Sequence, residues 1–239
     1  MSLPKARMGS PRERESARHA ASPPPEPRTR QGGVALWLKR LLDVLGAVVL
    51  LLVSVPVSLV GAAAIWLTMG RPVLFRQERS GWQGRPFVLL KFRTMANAWG
   101  PSGDLLPDEF RQTRVGNALR RLSIDELPQL WNVLRGEMSL VGNRPLPVGY
   151  WARMNEDEQA RYETIPGIAD LASLRGRYRL TWEEQFELDV WYSRNWSLWL
   201  DLRVAVGVVW LLACNRDQIG PGAFRQELRG GRDGPGGRT

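Results

Sequence analysis

Between Val44 and Gly70 the chain carries no charged residue, and its first 24 positions, through Leu67, are almost wholly apolar. As one straight helix those residues reach roughly 36 Å, against a hydrocarbon core of about 30 Å, so length permits a membrane span. The flanks argue otherwise. Lys39 and Arg40 precede the run, while Arg71, Arg76, Arg79 and Arg85 follow it, so both ends favour the side of the membrane that retains basic residues. Ser54, Pro56 and Ser58 interrupt the middle, and proline removes a helical N–H and clashes with the preceding turn. A helix broken near Pro56, with Ser54 and Pro56 at its hinge, enters and leaves one leaflet and satisfies both flanks. A kinked span satisfies the length alone.

Downstream the hydrophobic period changes. VLFRQ and PFVLLKF, within Pro72 to Met95, are extended, β-favouring runs around Ser80-Gly81-Trp82-Gln83-Gly84, which predicts a hairpin. A loop rich in Gly, Pro and Asp follows from Asn97 to Pro107. Asp108 to Leu122 then reads as one basic amphipathic helix with Phe110, Val115, Leu119 and Leu122 on its apolar side. Leu127, Leu130, Trp131 and Leu134 form a second stripe at helical spacing. Val148 to Thr164 reads as helical with mixed charge. Trp182 to Ala213 holds five of the eleven tryptophans, and its last apolar run, Val204 to Ala213, is too short to cross a bilayer. Tryptophan favours the headgroup boundary, which predicts helices lying on a membrane, with core aromatics of a soluble domain as the competing reading. The fold class expected is α+β, mainly helical: a monotopic membrane protein with a re-entrant N-terminal helix, a small β-hairpin and amphipathic interfacial helices.

Composition adds the ends. Met1 to Gly33 carries six prolines, seven Lys or Arg and three acids with few large apolar side chains, which buries too little surface to offset ordering. The domains expected are a disordered arm over 1–33, a re-entrant helix over 34–70, a catalytic domain over 71–213 and a disordered Gly/Arg-rich tail over 214–239. Net charge is +9, which implies an anionic partner: nucleic acid, anionic lipid or a phosphorylated substrate. The basic residues do not interleave with a recognisable nucleic-acid module, so no nucleic acid is expected. Cys214 and His19 are the only cysteine and histidine. Zinc sites of the Cys/His type and a Ser-His-Asp triad are thereby excluded, and any catalysis must use carboxylates.

The candidate chemistry sits in SIDELPQLWNVLRGEMSLVGNRPLP, Ser123 to Pro147. Ser123 with Glu126 fits a capping box, and Asp125 is a second candidate cap, so both acids have a purely structural explanation. The surrounding charges favour another. Arg111, Arg114, Arg120 and Arg121 precede the acids, Arg135 and Arg144 follow, and Lys91 and Arg93 lie upstream. Guanidiniums around a helix start suit phosphate oxygens. A carboxylate beside bound phosphate calls for a bridging divalent cation, and Mg²⁺ typically takes one or two carboxylates plus substrate phosphates. The residue types point to phosphoryl transfer.

SIDELPQLWNVLRGEMSLVGNRP resembles the signature of the bacterial sugar transferases, the polyisoprenyl-phosphate sugar-1-phosphate transferases or monotopic phosphoglycosyl transferases. KRLLDVLGAVVLLLVSVPVSL, RPVLFRQERSGWQGRPFVLLKFRTM, IPGIADLASLRGR and FELDVWYSRNWSLWLDLRV extend the likeness over about Lys39 to Val208. The resemblance implies the re-entrant form of the helix and a site on the cytoplasmic face of the bacterial inner membrane. It implies transfer of a sugar-1-phosphate from a UDP-sugar to polyprenyl phosphate through a phosphosugar on Asp125. By the same resemblance Glu126 would assist as a base or as a Mg²⁺-site partner, Asp125 would be the Mg²⁺ ligand, and Lys91, Arg93, Arg120, Arg121 and Arg144 would hold phosphate. Gln129 and Arg177 fall on the nucleotide-sugar side. Membrane lipids are implied partners, and a homodimer is left open. The sequence departs from the family at Val55, which separates Ser54 from Pro56, at Asn143, where the family has proline, and at Leu174-Arg175. The alternative is a catalytically inactive membrane scaffold of a glycan assembly complex.

Overall fold

The computed structural model describes residues 31–101, 104–176 and 180–214. Most of the expected arm and tail, and Arg177, lie outside the described residues. Helix α1 (Gly33–Met69) leads to a hairpin, β1 (Leu74–Ser80) and β2 (Pro86–Phe92), then to α2 (Arg114–Arg121), α3 (Gln129–Arg135), β3 (Ser139–Val141), β4 (Gly167–Ala169), α4 (Trp182–Arg194) and α5 (Leu198–Cys214). One-turn helices and 3₁₀ turns fill the connections, so the chain is mainly helical with two two-stranded sheets.

The hairpin has the expected position, with register from Leu74 opposite Phe92 to Ser80 opposite Pro86. The second sheet is a parallel pair, Ser139 opposite Gly167 and Val141 opposite Ala169. Three-residue strands leave no legible period. Their close approach depends on glycine: a Cβ on Gly167 would lie 2.0 Å from the Gly142 nitrogen.

Two helix expectations are corrected. Asp108 to Leu122 is interrupted: a single turn at Asp108–Arg111 ends before α2, whose N-cap Thr113 accepts from the Gly116 N–H at 2.9 Å. Thr113 competes for backbone groups and restarts the helix. Helix α1, by contrast, stays helical through Pro56 rather than breaking there. Proline removes a single N–H, and the Ser54 hydroxyl donates to the Leu51 carbonyl at 3.2 Å, as polar side chains do at helix prolines.

Both ends of α1 belong to the core. Ala47 joins Leu89, Leu130, Val133 and Met138 in one apolar cluster, and Ile65 joins Phe92 and Leu119 in another. Between these ends Leu52, Val53, Leu59 and Val60 are exposed. Arg40 donates to the Val133 and Leu134 carbonyls at the end of α3, where Gly136 at φ +84° closes the helix. Immediately before Arg40, buried Lys39 donates to Asp201 at 2.6 Å and to the Val141 carbonyl at 3.0 Å. Asp201 also accepts from Tyr192 and Trp196, while Asp43 accepts from the Ser139 hydroxyl and the Leu140 N–H. The start of α1 is thereby fastened to β3, α4 and α5.

The tryptophans divide between the two readings. Trp196 is buried beside Tyr192 and Val204, whereas Trp191, Trp199 and Trp210 are exposed.

Candidate active site

The carboxylates stand on a turn between α2 and α3. Ser123 takes φ +55°, a left-handed conformation uncommon outside glycine, and a single 3₁₀ turn, Ile124–Glu126, follows before Pro128 leads into α3. Ile124 packs into the cluster of Ile65, Phe92 and Leu119, close enough to α1 that a Cβ on Gly61 would stand 3.5 Å from its side chain. That anchor fixes the turn and leaves Asp125 buried. Neither turn nor helix start has a side-chain cap, so the expectation that Ser123 or Asp125 caps the helix is corrected: the extra 3₁₀ turn separates them from it. Trp131 is also displaced from the expected stripe. It is exposed, and Val133 takes the buried place beside Leu130.

Glu126 gathers the cations. Its Oε1 accepts from Lys91 Nζ at 2.9 Å and from Arg144 Nη1 at 3.2 Å. Lys91 comes from β2, which α3 holds through Asn132, fully buried: its amide oxygen accepts from the Leu90 N–H and its nitrogen donates to the Val88 carbonyl. Burial, and next the adjacent Glu126 charge, push the Asp125 carboxyl up to about 6 from 3.8, although Lys91, Arg120 and Arg144 pull the other way. A carboxylate so poised ionises near neutrality while three cations face it.

Beside the pair a cleft is lined by Arg79, Leu89, Lys91, Gln129, Arg144, Pro145 and Gly167. Gln129 is buried, and its side-chain nitrogen finds no hydrogen-bond partner among the described residues. Of the expected phosphate binders, Lys91, Arg120 and Arg144 are brought to the carboxylates. Arg93 is not. It is buried and donates to the carbonyls of Met69, Gly70 and Arg71, which end α1. The strand stops at Phe92, so Arg93 no longer shares the face of Lys91. Arg121 is exposed at the end of α2, outside the charges that act on Asp125. Ser54 and Pro56 remain in the middle of α1.

Sequence reasoning missed two supports. Arg79, read there only as a flanking charge, lines the cleft and donates to the Pro145 carbonyl at 3.0 Å. Asn132 had no signal except its polarity next to an apolar stripe. For a metal, no group of three or more His, Cys, Asp or Glu side chains is gathered among the described residues. Asp125 and Glu126 nonetheless fit Mg²⁺: they are adjacent hard oxygen donors, and a divalent cation would offset both the burial and the Glu126 charge that raise the Asp125 pKa.

A turn-borne acid pair beside a basic cleft is the arrangement of a phosphate-handling site, and sequence matches give its family. The family model described as bacterial sugar transferase matches residues 34–215, and the chain belongs to that family. The chain is 49% identical over 167 residues to the uncharacterized sugar transferase EpsL of Bacillus subtilis, covering 70% of this chain and 83% of that one. It is 42% identical over 181 residues to the UDP-glucose:undecaprenyl-phosphate glucose-1-phosphate transferase of Caulobacter vibrioides, covering 72% and 68%. The Escherichia coli protein of the same name is 38% identical over 186 residues, which are 74% of this chain but 40% of that protein.

Proposed function

We propose that the protein transfers a sugar-1-phosphate from a UDP-sugar to polyprenyl phosphate, releasing UMP, as the initiating step of a cell-surface glycan. The observation that carries this reading is the buried Asp125 carboxylate under the charges of Lys91, Arg120 and Arg144, of which Lys91 and Arg144 also line a basic cleft. In the first step an Asp125 oxygen attacks the sugar-proximal phosphorus. The bond from that phosphorus to the oxygen bridging the diphosphate breaks, and UMP leaves with the electron pair. In the second step an oxygen of the lipid phosphate attacks the same phosphorus, the bond to Asp125 breaks, and the carboxylate returns as the sugar diphospholipid forms. A covalent intermediate divides one difficult displacement into two.

The cations have separate parts. Lys91 and Arg144 are oriented by Glu126 and present donors to phosphate oxygens, and Arg120 adds positive potential at Asp125, where charge moves during both steps. Asp125 with substrate phosphate oxygens would hold Mg²⁺, which supplies charge neutralisation of the diphosphate. Gln129 offers a buried amide donor to the nucleotide-sugar side.

The membrane arrangement follows from the substrates, one soluble and one lipid-embedded. Both ends of α1 rest on the same body while its middle is exposed, which favours a bend of the still-helical α1 at Pro56 over a straight crossing, and so a re-entrant path from the cytoplasmic face with the exposed tryptophans of α4 and α5 at the headgroups. The scaffold reading relied on the acids as helix caps, and no such cap exists at this turn.

The test is UMP release by detergent-extracted protein with Mg²⁺, undecaprenyl phosphate and a panel of UDP-sugars. UDP-glucose is the first donor, given the names of the relatives. UMP from one sugar, abolished by Asp125→Asn, supports the reading. A folded Asp125→Asn variant with unchanged turnover sinks it.

A further inference from the structure

Arg144 reaches Glu126 from a loop, and what holds that loop lies on the far side from the cleft. Asn143 is buried, and its side-chain nitrogen sits 2.9 Å from three acceptors: the Arg161 carbonyl, the Asp189 carbonyl and the Ser193 hydroxyl. Its own carbonyl accepts from the Gly167 N–H at 2.9 Å. Arg161, fully buried, donates to the Arg144 carbonyl at 2.9 Å through the same nitrogen that meets Asp189 at 2.6 Å. The two residues before and at Arg144 are thus clamped to α4 from behind, while Arg79 and Ser80 hold Pro145 and Leu146 from the hairpin side.

We propose that Asn143 and Arg161, braced by Asp189, are positioning residues that act on the reaction through Arg144. This rests on the transfer reading only for its consequence in turnover; the placement itself is independent of it. A buried charge pair between two helical segments stabilises a fold without touching a loop. Here the carbonyls of both Asn143 and Arg144 are engaged, and the three bonds of the Asn143 amide are ones that proline or alanine cannot make. The clamp delivers a guanidinium at a set distance from Glu126, so loosening it lowers the rate of the phosphoryl step more than the affinity for the donor.

The experiment uses the full chain in detergent with Asn143→Ala and Arg161→Lys, the second retaining a cation for Asp189 while losing the reach to the Arg144 carbonyl. Modification of Arg144 by phenylglyoxal, followed by mass spectrometry, reads placement without needing turnover. Both variants are expected to label Arg144 several-fold faster than wild type, with unchanged labelling of the exposed Arg121. In UMP release, kcat is expected to fall about tenfold with KM for the donor within about twofold. In an Arg144→Lys background, Asn143→Ala is expected to add little further loss, since groups acting through one another are not additive. Unchanged Arg144 labelling in folded variants overturns the proposal, as does a full multiplicative loss in the Arg144→Lys background. Failure of both variants to fold also overturns it, since the clamp is then a stability element alone. Altered labelling with no UMP from wild type under any donor upholds the placement and sinks the transfer reading instead.

Discussion

At Asp125 the raised pKa has opposite signs for stability and for catalysis. Between 3.8 and about 6 the folded chain keeps a proton that the unfolded chain has released, so this group's contribution to stability declines as pH rises through that window and levels off above it. The loss amounts to about 3 kcal/mol at most. Asp125→Asn removes it. Thermal unfolding should show the variant equal to wild type near pH 4 and more stable above pH 6. Turnover depends on the ionised acid and should rise with pH, half-maximal near 6. Glu126→Gln should shift that acid limb to lower pH by removing the like charge, and Lys91→Met should shift it higher, both read from UMP release against pH. Asp125→Asn itself should lower turnover by at least about 10³. The meeting of Asp125, Glu126 and Arg144 was legible because opposite charges crowd one short motif, whereas Lys91 reaches them from the hairpin, 35 positions before Glu126. Arg93 misled because two residues apart share a face only within a strand, and the strand ends between them.

Among the elements, the end of α1 illustrates what a sequence pattern conceals. Its last carbonyls are covered by Arg93 from the hairpin, a long-range cap that no local rule announces. Arg93→Ala should leave those groups short of a donor and cost about 1–3 kcal/mol, seen as a lower Tm. Its KM for the donor should stay near wild type, which a phosphate-binding arginine would not allow. The hairpin was legible because seven paired residues give two β-favouring runs and a glycine-bounded turn. The β3–β4 pair was not, since three residues carry no period and the pairing depends on Gly142 and Gly167 touching across 25 positions of sequence. The split of α2 from the turn at Asp108 was within reach of a closer reading of Thr113.

For the whole molecule, the path of α1 sets the topology. With single cysteines placed at Val34 and at Met69 in a Cys214→Ser background, an impermeant thiol reagent should reach both in inverted vesicles, which expose the cytoplasmic face, and neither in intact cells. Labelling from opposite sides would make α1 a span. The long apolar helix itself was legible from its uncharged run, while its role in the interior was not, because burial of Lys39 and Asp43 runs against what the flank of an apolar run usually does. Lys39→Met should strand the Asp201 carboxylate in a buried site and cost about 3–5 kcal/mol, read by thermal unfolding; pairing it with Asp201→Leu should recover part of that loss. Such wiring bears on how the protein can be handled and how it can change. An anchor joined by a linker may be swapped for a lipid group or trimmed to give a soluble enzyme, but α1 supplies walls to two apolar clusters and one end of a buried ion pair. A truncation starting after Met69 should therefore yield a collapsed or aggregating chain, because removing the apolar helix removes part of the interior with it.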